Sequence, residues 1–212
     1  MSKKLFLVLS TFFIFTSGCA LKELHVDTNK TQPLRSLSGK TGFTKVTGAL
    51  TIGEIRDHRP EQKVIGQAKT GMFNTVTPIY LDIPAKDYVG EKLKRGLTAR
   101  GLKVDGKNKY VLNGFIKKLT LGEFADGWSP EYAECYLSLD FNIYSSSTNQ
   151  LTYSGTVEAS VNGTNSAIDS TDSIGPALDT CMEYAVEKIL NQDTLINAIG
   201  IKRDASSIVG TQ

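Results

Sequence analysis

Residues 132–144, YAECYLSLDFNIY, alternate without a break. Ala133, Cys135, Leu137, Leu139, Phe141 and Ile143 fall on one side, and Tyr132, Glu134, Tyr136, Ser138, Asp140, Asn142 and Tyr144 on the other. A period of two over this length is a strand with one face buried and one face polar. Working outward, Ser145 to Gln150 supplies a turn, and Leu151, Tyr153, Val157, Ala159 and Val161 resume the alternation, so the pair reads as an antiparallel hairpin. Upstream, Lys109 to Leu121 is a third long strand and Val46 to Arg56 a first, with a shorter piece at Thr77 to Leu81.

Two segments have the helical period instead. Pro84 suits a first helical turn, Val89, Leu93 and Leu97 follow at four-residue steps, and Gly101 provides a stop. A second helix begins near Ser173, with Ile174, Ala177, Leu178, Cys181, Tyr184, Ala185 and Ile189 as its apolar stripe, continuing to Ile196. Amphipathic strands with two amphipathic helices predict an α+β fold, a two-layer sandwich of a mainly antiparallel sheet with the helices on one face. The polar, tyrosine-bearing face is then either solvated or a partner surface.

The start of the chain, MSKKLFLVLSTFFIFTSGCALKE, has a different character. Lys3 and Lys4 precede an apolar run, Leu5 to Phe15, that is too short to span a bilayer but suits a signal peptide. Thr16, Ser17 and Gly18 lead directly into Cys19, a layout that resembles the lipobox of bacterial lipoproteins, with Thr16 standing where that family usually has an aliphatic residue. The resemblance implies cleavage after residue 18, acylation of Cys19 and a membrane anchor made of several acyl chains, which holds more durably than one. Ala20, rather than aspartate, follows the cysteine, and by the same resemblance this favours the periplasmic face of the outer membrane. Residues 19–45, polar and turn-rich, read as a tether, part of which can pack as an initial strand. The folded domain is expected over residues 46–201 and a frayed tail over 202–212.

Composition narrows the function. The formal charge of +2 includes Lys3 and Lys4, so the processed chain is near neutral. No basic footprint for nucleic acid is present. The first strand ending in Ile55, Arg56, Asp57, His58, Arg59 and Pro60, then Val64, Ile65 and Gly66, and the proline-led helix together resemble the YajG family of bacterial lipoproteins. The strand LNGFIKKL, residues 112–119, and the closing hairpin and helix extend the match. That resemblance implies an outer-membrane lipoprotein and supplies no catalytic residue.

Three chemical candidates remain. With Cys19 acylated, Cys135 and Cys181 share one apolar layer and are candidate disulfide partners in an oxidising compartment, against the alternative of two buried free thiols. Residues 54–61 hold Glu54, Arg56, Asp57, His58, Arg59 and Glu61, but His58 is the sole central histidine and lacks a nucleophile or converging ligands. The simpler reading is a charged turn, with Arg56 and Arg59 pairing with Asp57 and Glu61. Phe124 and Trp128, in a Gly- and Pro-bearing loop, are candidate partner contacts, against Trp128 folding back over the sheet edge. GKTGFTK, residues 39–45, lacks phosphate-loop spacing. No cofactor, metal or catalytic residue is expected. The favoured function is a non-enzymatic binding or assembly accessory of the cell envelope, anchored by lipid and meeting envelope proteins. A lipid-handling or hydrolytic protein with a groove between helices and sheet is the alternative.

Overall fold

The computed structural model describes residues 23–28, 45–70, 75–125, 132–165 and 174–203. Among these described residues ten strands and three helices follow in the order β1 (Leu24–Val26), β2 (Val46–Ala49), β3 (Thr51–Asp57), β4 (Val64–Thr70), β5 (Thr75–Leu81), α1 (Ala85–Ala99), β6 (Leu102–Lys103), β7 (Tyr110–Ala125), β8 (Tyr132–Ser145), β9 (Leu151–Asn165), α2 (Ile174–Leu190), α3 (Asp193–Ile199) and β10 (Lys202–Arg203). The fold is α+β, as the periodicity predicts. A seven-stranded sheet runs β1-β5-β4-β7-β8-β9, with β3 also on β7, and a small sheet runs β10-β2-β6.

The long hairpin forms as read. Along β8, all six apolar residues from Ala133 to Ile143 are buried, and their polar alternates are half-buried. α2 packs on β8 and β9, and α1 on β3. The inner layer is filled: Leu112, Ile116, Leu137, Leu139, Phe141 and Ile143 are fully enclosed against Val89, Leu93, Leu97, Leu178 and Val186.

The main sheet is mixed. Its three antiparallel ladders, β4–β5, β7–β8 and β8–β9, hold most of the paired residues, but β1–β5, β3–β7 and β4–β7 are parallel. β3 and β4 lie end to end along the same edge of β7. β3 pairs with it up to Asp57↔Ile116, and β4 rejoins it from Gly66↔Leu121. Between them β7 carries a bulge, where the register shifts between Ile116 and Lys118. Buried positions switch there from Leu112, Gly114 and Ile116 to Leu119, Leu121 and Glu123, which leaves Lys117 and Lys118 both exposed. Gly66 is required at the rejoining point, because a Cβ there would sit 1.9 Å from the Leu121 carbonyl oxygen.

Several boundaries differ from the sequence reading. The first strand divides at Leu50, whose side chain turns into the core while its N–H bonds to the Lys103 carbonyl at 3.0 Å. β2 thereby leaves the main sheet for the small one. The second helix ends at Leu190 and a separate short helix begins at Asp193, with Gln192 between them in an extended conformation (φ −79°, ψ 100°) and its side chain donating to the Thr156 carbonyl. Tyr184 does not belong to the buried stripe: it is 39 % exposed, and Met182, Glu183, Val186 and Leu190 are buried instead. At the termini, Leu24–Val26 is a strand against β5, within the span read as tether. Lys202–Arg203 pairs with β2, so the tail as read from residue 202 begins too early. Gly101, at φ +100°, ends α1 under the Val46 carbonyl, 2.4 Å from where a Cβ would be.

Candidate functional site: a groove on the open sheet face

The charged stretch after β3 builds one wall of a groove. Asp57 and Arg59 are both buried and pair through two hydrogen bonds, Nε to Oδ1 at 2.9 Å and Nη2 to Oδ2 at 2.7 Å. The guanidinium also donates to the carbonyls of Gln62 at 2.9 Å and of Val64 and Leu119, each at 3.4 Å. It therefore fills the gap between β3 and β4 on that edge of β7. Glu61 accepts from the N–H of Lys63 at 2.9 Å and closes the turn. Arg56 pairs with Glu54 at 2.6 Å on the surface, not with Asp57, and this contact holds the Glu54 carboxyl below its ordinary range. The ring of His58 packs on Phe115, 5.1 Å between centroids. The stretch is thus a turn whose charges satisfy one another, with the pairs Asp57–Arg59 and Glu54–Arg56.

Beside that wall lies a groove of about 600 Å³, over the seam between β4 and β7. Gly66 and Gly122 leave its floor at the level of the backbone, and Lys69, Lys117, Lys118 and Gln67 form its rim. Lys118 lies 4.8 Å above the Tyr136 ring, and Lys117 is 3.8 Å from Asp140, which accepts from Thr156 Oγ1 at 2.7 Å. Tyr136 itself is pushed upward in pKa by desolvation and a hydrogen bond with Glu158. The polar face of the sheet is accordingly a connected surface of basic, acidic and phenolic groups. The sequence signal that would have found this groove is the change of phase at Lys117–Lys118 together with glycines in two adjacent strands.

The sequence candidates distribute unevenly. Phe124 is on β7 opposite Tyr132, at the end of the groove's strand, while Trp128 lies outside the described residues, as does Cys19. Cys135 and Cys181 come together. Both are buried free thiols, Cys181 Sγ donates to the Ala159 carbonyl at 3.5 Å, and the two side chains are within hydrogen-bonding reach of one another. Burial, then that contact, pushes the Cys135 thiol far up, so it is a poor nucleophile. A disulfide donor that accepts two electrons and two protons from the pair would join them. Closing the loop of about 45 residues would stabilise the domain by about 3–4 kcal/mol. The oxidised protein is expected to melt higher than its reduced form, a difference absent from Cys135→Ser; equal melting of the two forms would exclude the bridge.

One further cluster has no local signature in the sequence. Where α1 crosses α2, Tyr88, Lys92 and Arg100 face Asp179, Glu183 and Glu187. Lys92 Nζ is 2.6 Å from Asp179, Tyr88 donates to the same carboxylate at 2.6 Å, and Arg100 Nε bonds Glu187 at 2.5 Å. Gly96 lets the helices approach, since a Cβ there would meet Val186 at 2.8 Å. The cluster ties the two helices together beneath the surface. Among the described residues no group of three His, Cys, Asp or Glu side chains could hold a metal ion.

No protein-family model matches the chain, and no curated protein matches it. Solved structures match it at low identity. A protein of Xanthomonas campestris from the family DUF330 has a TM-score of 0.47 at 12% identity, covering 74% of this chain and 95% of that one. A protein of Chlamydia trachomatis has 0.42 at 10%, covering 68% and 95%. A minor lipoprotein of Acinetobacter baumannii has 0.33 at 14%, covering 74% and 95%. A bacterial lipoprotein is among the solved structures that match.

Proposed function

We propose that the chain is a lipid-anchored lipoprotein of the bacterial envelope, on the periplasmic face of the outer membrane and related to the YajG family, and that it acts as a non-enzymatic binding or assembly accessory. The observation that carries the binding role is the groove on the open sheet face, which combines a glycine floor, a lysine rim and one adjoining tyrosine, Tyr136 under Lys118. Such a site is suited to gripping a partner by shape and charge. The helix–sheet layer, where an acyl chain would have to enter for the lipid-handling alternative, is filled by side chains exposed by only a few per cent. The lipobox layout at Cys19 supports the anchor.

The anchor and the role are tested in one strain. Cys19→Ala is expected to move the protein from the membrane to the soluble fraction. With Cys19 intact, a photo-crosslinking residue at Thr120, exposed on the groove's rim, is expected to capture an envelope protein that the same residue at exposed Lys107 does not. Recovery of lipid alone at Thr120 would favour the lipid-handling reading, and recovery of nothing would count against both.

A further inference from the structure

The strand register shows where, and from which end, the chain enters the sheet. Leu24 pairs with Ile79, Ile79 with Gly66, Gly66 with Leu121, Leu121 with Cys135, and Cys135 with Val161. One line across the whole sheet therefore marks where the chain enters the fold. β1 runs parallel to β5, which begins at Thr75, so the chain before Leu24 approaches from the end of the sheet where β5 and β8 begin and β4, β7 and β9 finish. Cys19 lies five residue steps before Leu24. Fully extended, those steps reach at most about 18 Å.

The two ends of the sheet lie at unequal distances from that line. From Leu121 to the last residue of β7, Ala125, is about 13 Å at a strand's rise per residue. In the other direction, from Leu121 to Tyr110 is about 36 Å. A connection of about 18 Å reaches past Ala125, the last described residue of β7, but spans only half the distance to the far end. Resting on the lipid anchor proposed above, we infer that Cys19 holds the sheet end-on to the bilayer. The ends of β4, β7 and β9 and the starts of β5 and β8 face the lipid, and the β8–β9 turn at residues 146–150 points away from it. The surface committed to the bilayer is this near end, which includes Val76, an apolar side chain 43% exposed. The groove then lies in the membrane-proximal half of the sheet with Lys69, level with Phe124, as its lysine nearest the lipid. A partner is met close to the membrane surface rather than deep in the periplasm.

The full acylated chain tests this in vesicles of phosphatidylethanolamine and phosphatidylglycerol doped with a headgroup-spin-labelled lipid. A fluorophore is attached at Val76→Cys or, at the far end, at Leu151→Cys, both exposed, while Cys135 and Cys181 are buried and escape labelling. Quenching is expected to be several-fold stronger at position 76 than at 151. Inserting twenty Gly/Ser residues after Ala20 is expected to even the two, with the melting temperature unchanged. Equal quenching at both positions in the uninserted chain, or stronger quenching at 151, overturns the end-on arrangement while the protein stays with the vesicles. A chain that carries no acyl group by mass spectrometry and fails to float with vesicles overturns the anchor itself, and the arrangement with it.

Discussion

Arg59→Ala is expected to destabilise the domain by about 3–5 kcal/mol, because it leaves the Asp57 carboxylate buried without its partner. For a chain of this size that corresponds to a fall in melting temperature of about 10 °C. The loss has two parts. Asp57 loses the paired hydrogen bonds from Nε and Nη2, and the carbonyls of Gln62, Val64 and Leu119 lose a donor in a place water reaches poorly. Arg59→Lys is expected to recover less than half of the loss, since an ammonium cannot present a planar fork to the carboxylate while also reaching carbonyls on two strands. Arg56→Ala is the control. It carries the same charge three residues away, but its pair with Glu54 is exposed, and its melting curve is expected to overlay the parent's. Thermal unfolding of the three variants decides the matter: if Arg59→Ala melts within about 2 °C of the parent, the guanidinium does not hold the gap in the β7 edge.

That gap also explains which parts of the fold were legible in the sequence. β8 and β9 announce themselves because one face of each is wholly buried, so alternation survives the length of the strand. β4 does not. Val64 and Ile65 are adjacent apolar residues followed by a glycine, and the strand joins β7 through backbone that passes too close for a side chain. Its parallel register depends on a crossing that no local pattern encodes. The split of the first strand at Leu50 has the same cause: a continuous run of strand-forming residues changes sheets where one side chain turns inward. At the start of the chain, Leu24 and Val26 are too few to show a period, and their partner lies at Ile79 and Leu81.

The groove was half legible. The doubled lysine at 117–118 is a visible break of phase, but its meaning depends on β3 ending and β4 beginning on either side of it. The charge density of residues 54–61 marks the groove's wall, where the charges close the site rather than form its chemistry. The cysteines were legible in position, because strand period and helix period both put them in one layer, while sulfur-to-sulfur proximity needed the packed structure.

Asp179→Ala is expected to cost about 3–5 kcal/mol as well, by leaving the Lys92 ammonium buried and the Tyr88 hydroxyl without its acceptor. Four residues further along the same helix, Glu183→Gln is expected to act in the opposite direction. Glu183 is buried, and its carboxyl is pushed above the ordinary range, first by desolvation and then by the charges of Asp179 and Glu187, against the pull of Arg100 and Lys92. A raised folded-state pKa means that the native chain binds this proton more tightly than the unfolded chain. The associated stability is present in acid and is lost as pH rises from the ordinary carboxylate range through the raised value. Glu183→Gln removes that loss, so the variant is expected to melt at or above the parent at pH 7 and to lose its advantage near pH 4. Melting curves of Asp179→Ala and Glu183→Gln at both pH values check the pair, and a Glu183→Gln variant less stable than the parent at pH 7 would mean that the carboxylate is bound by Arg100 rather than merely enclosed. Two acidic residues one helical turn apart thus differ in sign of effect because Asp179 meets a cation and a hydroxyl at 2.6 Å each, whereas Glu183 loses more by desolvation, with the charges of Asp179 and Glu187 added, than Arg100 and Lys92 return.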